Sequence, residues 1–133
     1  MQTGIILFAH GSTVAAANDA VFALARRLAE QGGYRHVEVA FLDCAPPALP
    51  DATAALAAAG VERIVVIPYF LTSGIHLERD LPRIIAELAR IHTGVSVEVT
   101  PPLDGHPALL EILLDRARAA ACEEDIGAVR QAD

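Results

Sequence analysis

The chain has 133 residues, a formal net charge of −7 and 53% hydrophobic residues with no tryptophan, so it is long enough for one domain with an aliphatic core. Its basic residues are all arginine and form no run, which argues against a nucleic-acid partner. No amphipathic stretch has a basic face for a membrane surface, and the longest apolar run, 64–71, is far below the roughly 20 residues that span a bilayer.

Residues 3–9 form a continuous apolar run, the pattern of a strand buried on both faces. Ser12 or Thr13 is placed to cap a helix over about 14–31, where Val21, Leu24, Ala25 and Leu28 follow helical spacing and Gly32-Gly33 ends it. A second strand, 36–42, alternates at first and then turns apolar. After Pro46-Pro47 comes an alanine-rich helix over about 49–59, ending at Gly60. The third strand, 62–70, is the most hydrophobic. The next helix is expected to start within 77–81 and run to about 91, with Leu81, Ile84, Ile85 and Leu88 as its buried stripe and Pro82 in its first turn. A strand over 95–99 and a helix over about 107–121 complete the pattern. Residues 1–121 then form the domain and 122–133 a polar tail. Strict alternation of strand and helix predicts an α/β fold: one four-stranded parallel sheet with helices on both faces. A flavodoxin-like strand order, 2-1-3-4, would set the first and third strands side by side.

In that arrangement two histidines share the carboxyl edge of the sheet, where open α/β sheets bind ligands. His10 ends the first strand. His76 follows the third strand after Thr72-Ser73-Gly74-Ile75. Two imidazoles at one cleft suggest a metal site, although a strand-end histidine bonded to backbone would give the same pattern at His10. Gly11 lets a ligand approach the backbone, and the amides after Ser12 open a helix N-terminus suited to carboxylates or phosphates. Arg79 and Arg83 could face such an anion. Glu78, Arg79 and Asp80 also read simply as a charged first turn. Asp43 ends the second strand at the same edge, as a third ligand, a proton acceptor or an Asx-type turn. Asp104 to Pro107 reads mainly as turn and helix-start chemistry, and His36 and His92 sit at the opposite, amino edge.

Taken as an ordered set, these segments resemble a known family. Phe8-Ala9-His10-Gly11-Ser12, Val39-Ala40-Phe41-Leu42-Asp43, Val66 to Leu71 with Gly74-Ile75-His76, Asp80-Leu81-Pro82 and Pro101 to Pro107 are similar to the short class II chelatases, the CbiX-like family acting on sirohydrochlorin. The resemblance runs from residue 4 to about 118. It implies a chelatase-like fold and insertion of a divalent metal, Co²⁺ first with Fe²⁺ or Ni²⁺ as alternatives, in cobalamin or siroheme biosynthesis. It also implies His10 and His76 as the metal-binding and catalytic pair, with Asp43 standing where the family usually has glutamate. Two ligands leave the ion transferable, and one histidine or Asp43 would accept a pyrrole proton. Arg79, Arg83 and the backbone around Gly11, Ser12, Ser73 and Gly74 are expected to meet the carboxylates of the tetrapyrrole. The family commonly continues Arg-Asp after His-Gly-Ser, and this chain has Thr13-Val14. One short domain offers half of the cleft of the duplicated family members, so a homodimer is expected. No organic cofactor is expected.

Two other readings use the same residues. A metal or tetrapyrrole carrier would bind without inserting. A small hydrolase would need Ser12 and His10 to pair, and no acid is placed to orient the imidazole. Cys44 and Cys122 show no ligand spacing and read as free thiols; with no leader pattern before His10, a cytoplasmic setting is expected.

Overall fold

The structure, a computed structural model, describes residues 2–72 and 74–121. Eight elements alternate: β1 (Thr3–Ala9), α1 (Ala15–Gly32), β2 (His36–Phe41), α2 (Leu49–Ala58), β3 (Arg63–Pro68), α3 (Gly74–Ile91), β4 (Ser96–Val99) and α4 (Pro107–Ala121). The strands form one sheet in the order β2-β1-β3-β4, and every neighbouring pair is parallel. β1 is interior, with Ile6 opposite Glu38 on one side and Val66 on the other. The chain separates into two compact units, Met1–Pro102 and Leu103–Asp133.

The first unit carries the sheet and three helices. Alternate residues of the strands feed two apolar cores, because successive side chains point to opposite faces. Ile6, Phe8, Ala40, Ile64 and Val66 pack with Leu49 and Leu56 of α2 and with Leu77, Leu81 and Leu88 of α3. Leu7, Ala9, Val39 and Phe41 pack with Val21 and Ala25 of α1. Each valine, leucine, isoleucine or phenylalanine among them contributes about 1.5–3 kcal/mol by leaving water. Thr53 is the buried polar residue among the described residues of the first unit, and its hydroxyl donates to the Leu49 carbonyl at 2.8 Å. β4 alternates between exposed and half-buried residues, as an edge strand with one covered face does.

Three boundaries differ from the sequence expectation, each for a local reason. α1 is capped by Val14 with no side-chain cap; the hydroxyl of Ser12 accepts the Val14 N–H instead, so neither Ser12 nor Thr13 is the cap. β3 stops at Pro68, and Tyr69 continues the pairing only through its N–H to the Phe8 carbonyl, 2.7 Å. α3 starts at Gly74, before the expected 77–81, and Pro82 lies inside the helix. The proline removes the N–H that would reach the Glu78 carbonyl, but Glu78 and Pro82 are both exposed. The apolar stripe beginning at Leu77 outweighs that lost bond.

In the second unit, Asp104-Gly105 makes a turn and the His106 Nδ1 accepts the Ala108 N–H at 3.0 Å, serving as the helix-start acceptor of α4. No residue of α4 is buried, and Leu110, Ile112 and Leu113 are exposed. The expected polar tail, 122–133, lies outside the described residues, as does Cys122.

Candidate functional site

Because all four strands run one way, the loops after β1, β2 and β3 open on a single edge of the sheet. At this edge the β1–β2 pairing continues beyond both strands. Leu42 N–H donates to the Ala9 carbonyl at 2.8 Å, and Asp43 N–H to the His10 carbonyl at 2.9 Å. The backbones then lie so close that a Cβ on Gly11 would stand 1.9 Å from the Asp43 carbonyl oxygen. Gly11 also has φ +89°, so both space and conformation require glycine there.

The β1–α1 loop is braced from inside the helix. Asn18 accepts the Ser12 N–H at 3.0 Å and donates to the Ser12 carbonyl at 2.8 Å. With the Ser12 hydroxyl held by Val14, three hydrogen bonds fix Ser12. The His10 side chain is exposed and rests on Phe70, with ring centroids 4.4 Å apart and planes at 46°. Phe70 is itself buried and packs edge-on against Phe8 at 5.7 Å. One face of the His10 imidazole is therefore covered by an apolar ring. Among the described residues no side chain hydrogen-bonds to its nitrogens, and Ser12 does not pair with it.

Asp43 is exposed, and its carboxylate accepts the N–H of the next residue, Cys44, at 2.8 Å. This is a local turn contact, shorter in span than the Asx turn expected. Cys44 is an exposed free thiol with φ 70°.

Beyond β3 the arrangement is more open. Leu71 and Ile75 are 61% and 79% exposed, and Ser73 lies outside the described residues. Gly74 opens α3 with φ +73° and open space around the position of a Cβ. His76 thus stands in the first turn of a helix, not in the loop expected from the sequence. Its Nδ1 lies 3.1 Å from Nη2 of Arg79, one turn further on. Arg83 bonds to Asp80 at 2.8 Å. Arg79, Asp80 and Arg83 line a cleft of about 430 Å³.

The fold brings His10, Asp43 and His76 to one edge, on neighbouring strands and loops. It does not gather them into a cage: among the described residues no group of three or more His, Cys, Asp or Glu side chains is placed to hold a metal ion. What the edge offers is two exposed imidazoles, two guanidinium groups and exposed apolar side chains at Val14, Leu42, Tyr69, Leu71 and Ile75. Asn18 and Phe70 were not among the sequence candidates. An asparagine within the first turns of a helix is a usable signal, since its amide competes with helical hydrogen bonds. Phe70 gives none, because it reads as one more apolar strand residue.

The profile of the CbiX family matches residues 4–120. Sirohydrochlorin ferrochelatase, chloroplastic, from Arabidopsis thaliana is 35% identical over 113 residues, covering 85% of this chain and 50% of the plant protein. Sirohydrochlorin cobaltochelatase from Methanopyrus kandleri is 30% identical over 143 residues, covering 92% of this chain and 100% of that one. Among solved structures, a putative cobalamin (vitamin B12) biosynthesis CbiX protein from Marinobacter aquaeolei VT8 superposes with a TM-score of 0.80 at 30% identity, covering 92% of this chain and 99% of the other. The sirohydrochlorin chelatase SirB from Bacillus subtilis subspecies spizizenii, in complex with cobalt, shares the fold with a TM-score of 0.82 at 22% identity; this chain covers 52% of it. The chain thus spans about half of the plant and Bacillus proteins and nearly all of the other two. With a profile match from the first strand to the last helix, this chain belongs to the CbiX family.

Proposed function

We propose that this chain inserts a divalent metal into sirohydrochlorin. The observation that carries the reading is a pair of exposed histidines, His10 and His76, following adjacent parallel strands in a CbiX-family domain. His10 and His76 hold the incoming ion through ring nitrogens at about 2.0–2.2 Å. Two protein ligands leave coordination positions for the pyrrole nitrogens, so the ion passes to the ring without leaving a closed cage. The reaction exchanges two pyrrole protons for one M²⁺ with no change of oxidation state, and it needs no organic cofactor. Asp43, or the histidine that releases the metal first, takes up one proton, and water at this exposed edge takes the other.

The macrocycle meets two kinds of surface. Leu71, Ile75, Tyr69, Leu42 and Val14 offer apolar area to its faces. Arg79 and Arg83, with the backbone of Gly11 and Gly74, meet its carboxylates, which an acidic chain can bind only at a locally positive site; the Ser12 N–H, expected to join them, is already given to Asn18. Cobalt is the first choice of metal, which would place the reaction in cobalamin biosynthesis; ferrous iron, which would place it in siroheme biosynthesis, is the second. Both metals stand in the names of relatives. A second copy of the chain completes the cleft in a homodimer, and the exposed thiol of Cys44 suits a reducing cytoplasm.

The test is anaerobic insertion of Co²⁺, Fe²⁺ and Ni²⁺ into sirohydrochlorin, followed by its visible spectrum, for wild type, His10→Ala and His76→Ala. Acceleration lost in both variants is the expected result. Binding of the tetrapyrrole without acceleration by the wild type would overturn the reading in favour of a carrier.

A further inference from the structure

The contact between His76 and Arg79 is ordered the wrong way for metal binding. A guanidinium has no lone pair to offer and acts only as donor. Its Nη2 stands 3.1 Å from His76 Nδ1, so Nδ1 supplies the lone pair and, in the neutral ring, the proton sits on Nε2. A metal needs a free ring lone pair, and here one nitrogen is occupied and the other is protonated. Moving the proton to Nδ1 would set two donors against each other. Both routes to ligation require Arg79 to leave. A metal-bound imidazole ordinarily donates its other N–H to a carboxylate or carbonyl, and a cation in that place also repels the ion.

Arg79 has somewhere to go. It lines the cleft of about 430 Å³ shared with Asp80 and Arg83. Arg83 is neutralised there by Asp80, while among the described residues no carboxylate lies within ion-pair distance of Arg79. A guanidinium bonds more strongly to a carboxylate than to a neutral imidazole, and it can do so through two parallel hydrogen bonds.

We propose that Arg79 is a latch on His76: it withholds the Nδ1 lone pair until a carboxylate of the tetrapyrrole draws the guanidinium into the cleft, so the macrocycle binds first and strengthens metal ligation. The inference rests on the metal-inserting reading above and assigns that site an order of binding. Arg79 is a positioning residue in this scheme, because it acts through His76. The coupling is reciprocal, so metal held by His76 also favours the carboxylate-bound arginine.

The test uses the full chain without tetrapyrrole and reads affinity for Co²⁺ alone by calorimetry, for wild type, Arg79→Met, His76→Ala and the double variant. Methionine keeps the unbranched stem and helix preference of arginine without a donor. Arg79→Met should bind Co²⁺ about tenfold more tightly, and the gain should vanish in the His76→Ala background. A gain of affinity is not what a damaged helix would produce. In parallel, the ¹⁵N resonances of the His76 ring should report Nε2–H in the wild type and lose that bias in Arg79→Met. Metal-free tetrapyrrole added to the wild type should move them toward the Arg79→Met values. Equal or weaker Co²⁺ binding by Arg79→Met, or His76 resonances unmoved by tetrapyrrole, would overturn the latch. If the double variant binds Co²⁺ as well as Arg79→Met does, His76 gives no ligation even when unlatched and the histidine pair itself fails as the metal site, a result separable from failure of the latch.

Discussion

The loops that carry His10 and His76 leave neighbouring strands of one sheet, yet they are held very differently. The first is fastened at three successive residues. His10 lies on Phe70, Gly11 is pressed against the Asp43 carbonyl, and Ser12 is bound three times by Asn18 and Val14. The second leads from exposed Leu71 to exposed Ile75, and among the described residues His76 has one polar partner, a long side chain on its own helix. Catalytic groups on rigid elements are held more precisely than groups on loosely tied ones. On the metal-inserting reading proposed above, the contrast suits one histidine that receives the ion at a fixed place and another that adjusts as the ion passes into the ring.

Four substitutions would break or sharpen that contrast. The largest effect is expected at Phe70, which supports the His10 ring and shares a core with Leu77 of α3. Phe70→Ala should cost about 4 kcal/mol in urea unfolding and should reduce metal insertion even where the protein stays folded. Gly11→Ala comes next, because its Cβ would overlap the Asp43 carbonyl at 1.9 Å. About 3 kcal/mol is expected from backbone displacement and strain, read as a fall in melting temperature. A smaller loss, about 1.5 kcal/mol, is expected of Asn18→Ala, which removes both bonds to the Ser12 backbone; denaturant titration would measure it. Gly74→Ala is the control on the second loop. It has the same kind of positive φ but no atoms near the Cβ position. Strain alone should cost about 1 kcal/mol by the same titration. If Gly74→Ala proved as damaging as Gly11→Ala, the two loops would be equally constrained and the contrast would fail.

The strands were legible in the sequence as short apolar or alternating runs bounded by turn residues; alternation with helices implied a parallel sheet but not its strand order, which rested on the flavodoxin-like analogy. His10 and Asp43 were placed correctly at the carboxyl edge for the same reason. His76 was placed at the right edge but in the wrong element. Pro82 read as a first-turn residue, which pushed the expected start of α3 too late. Leu77, four residues before Leu81, was the competing signal: it extends the buried stripe back past the proline. The bracing of Ser12 and the support of His10 by Phe70 were not legible, since they join residues through space without periodicity. The Arg79–His76 contact was within reach of the sequence, being three residues apart, but only on the premise that His76 is helical.

The position of β1 also shapes how the protein reaches its native state. This strand lies between β2 and β3, and β3 comes only after α1, β2 and α2 have been added to the chain. Contacts between distant segments form slowly, because closing the intervening chain costs entropy before the pairing repays it. Until β3 docks, one whole edge of an apolar strand has no hydrogen-bonding neighbour and can recruit another chain. The same central strand that ends at His10 is therefore where unfinished copies of this chain are most prone to aggregate.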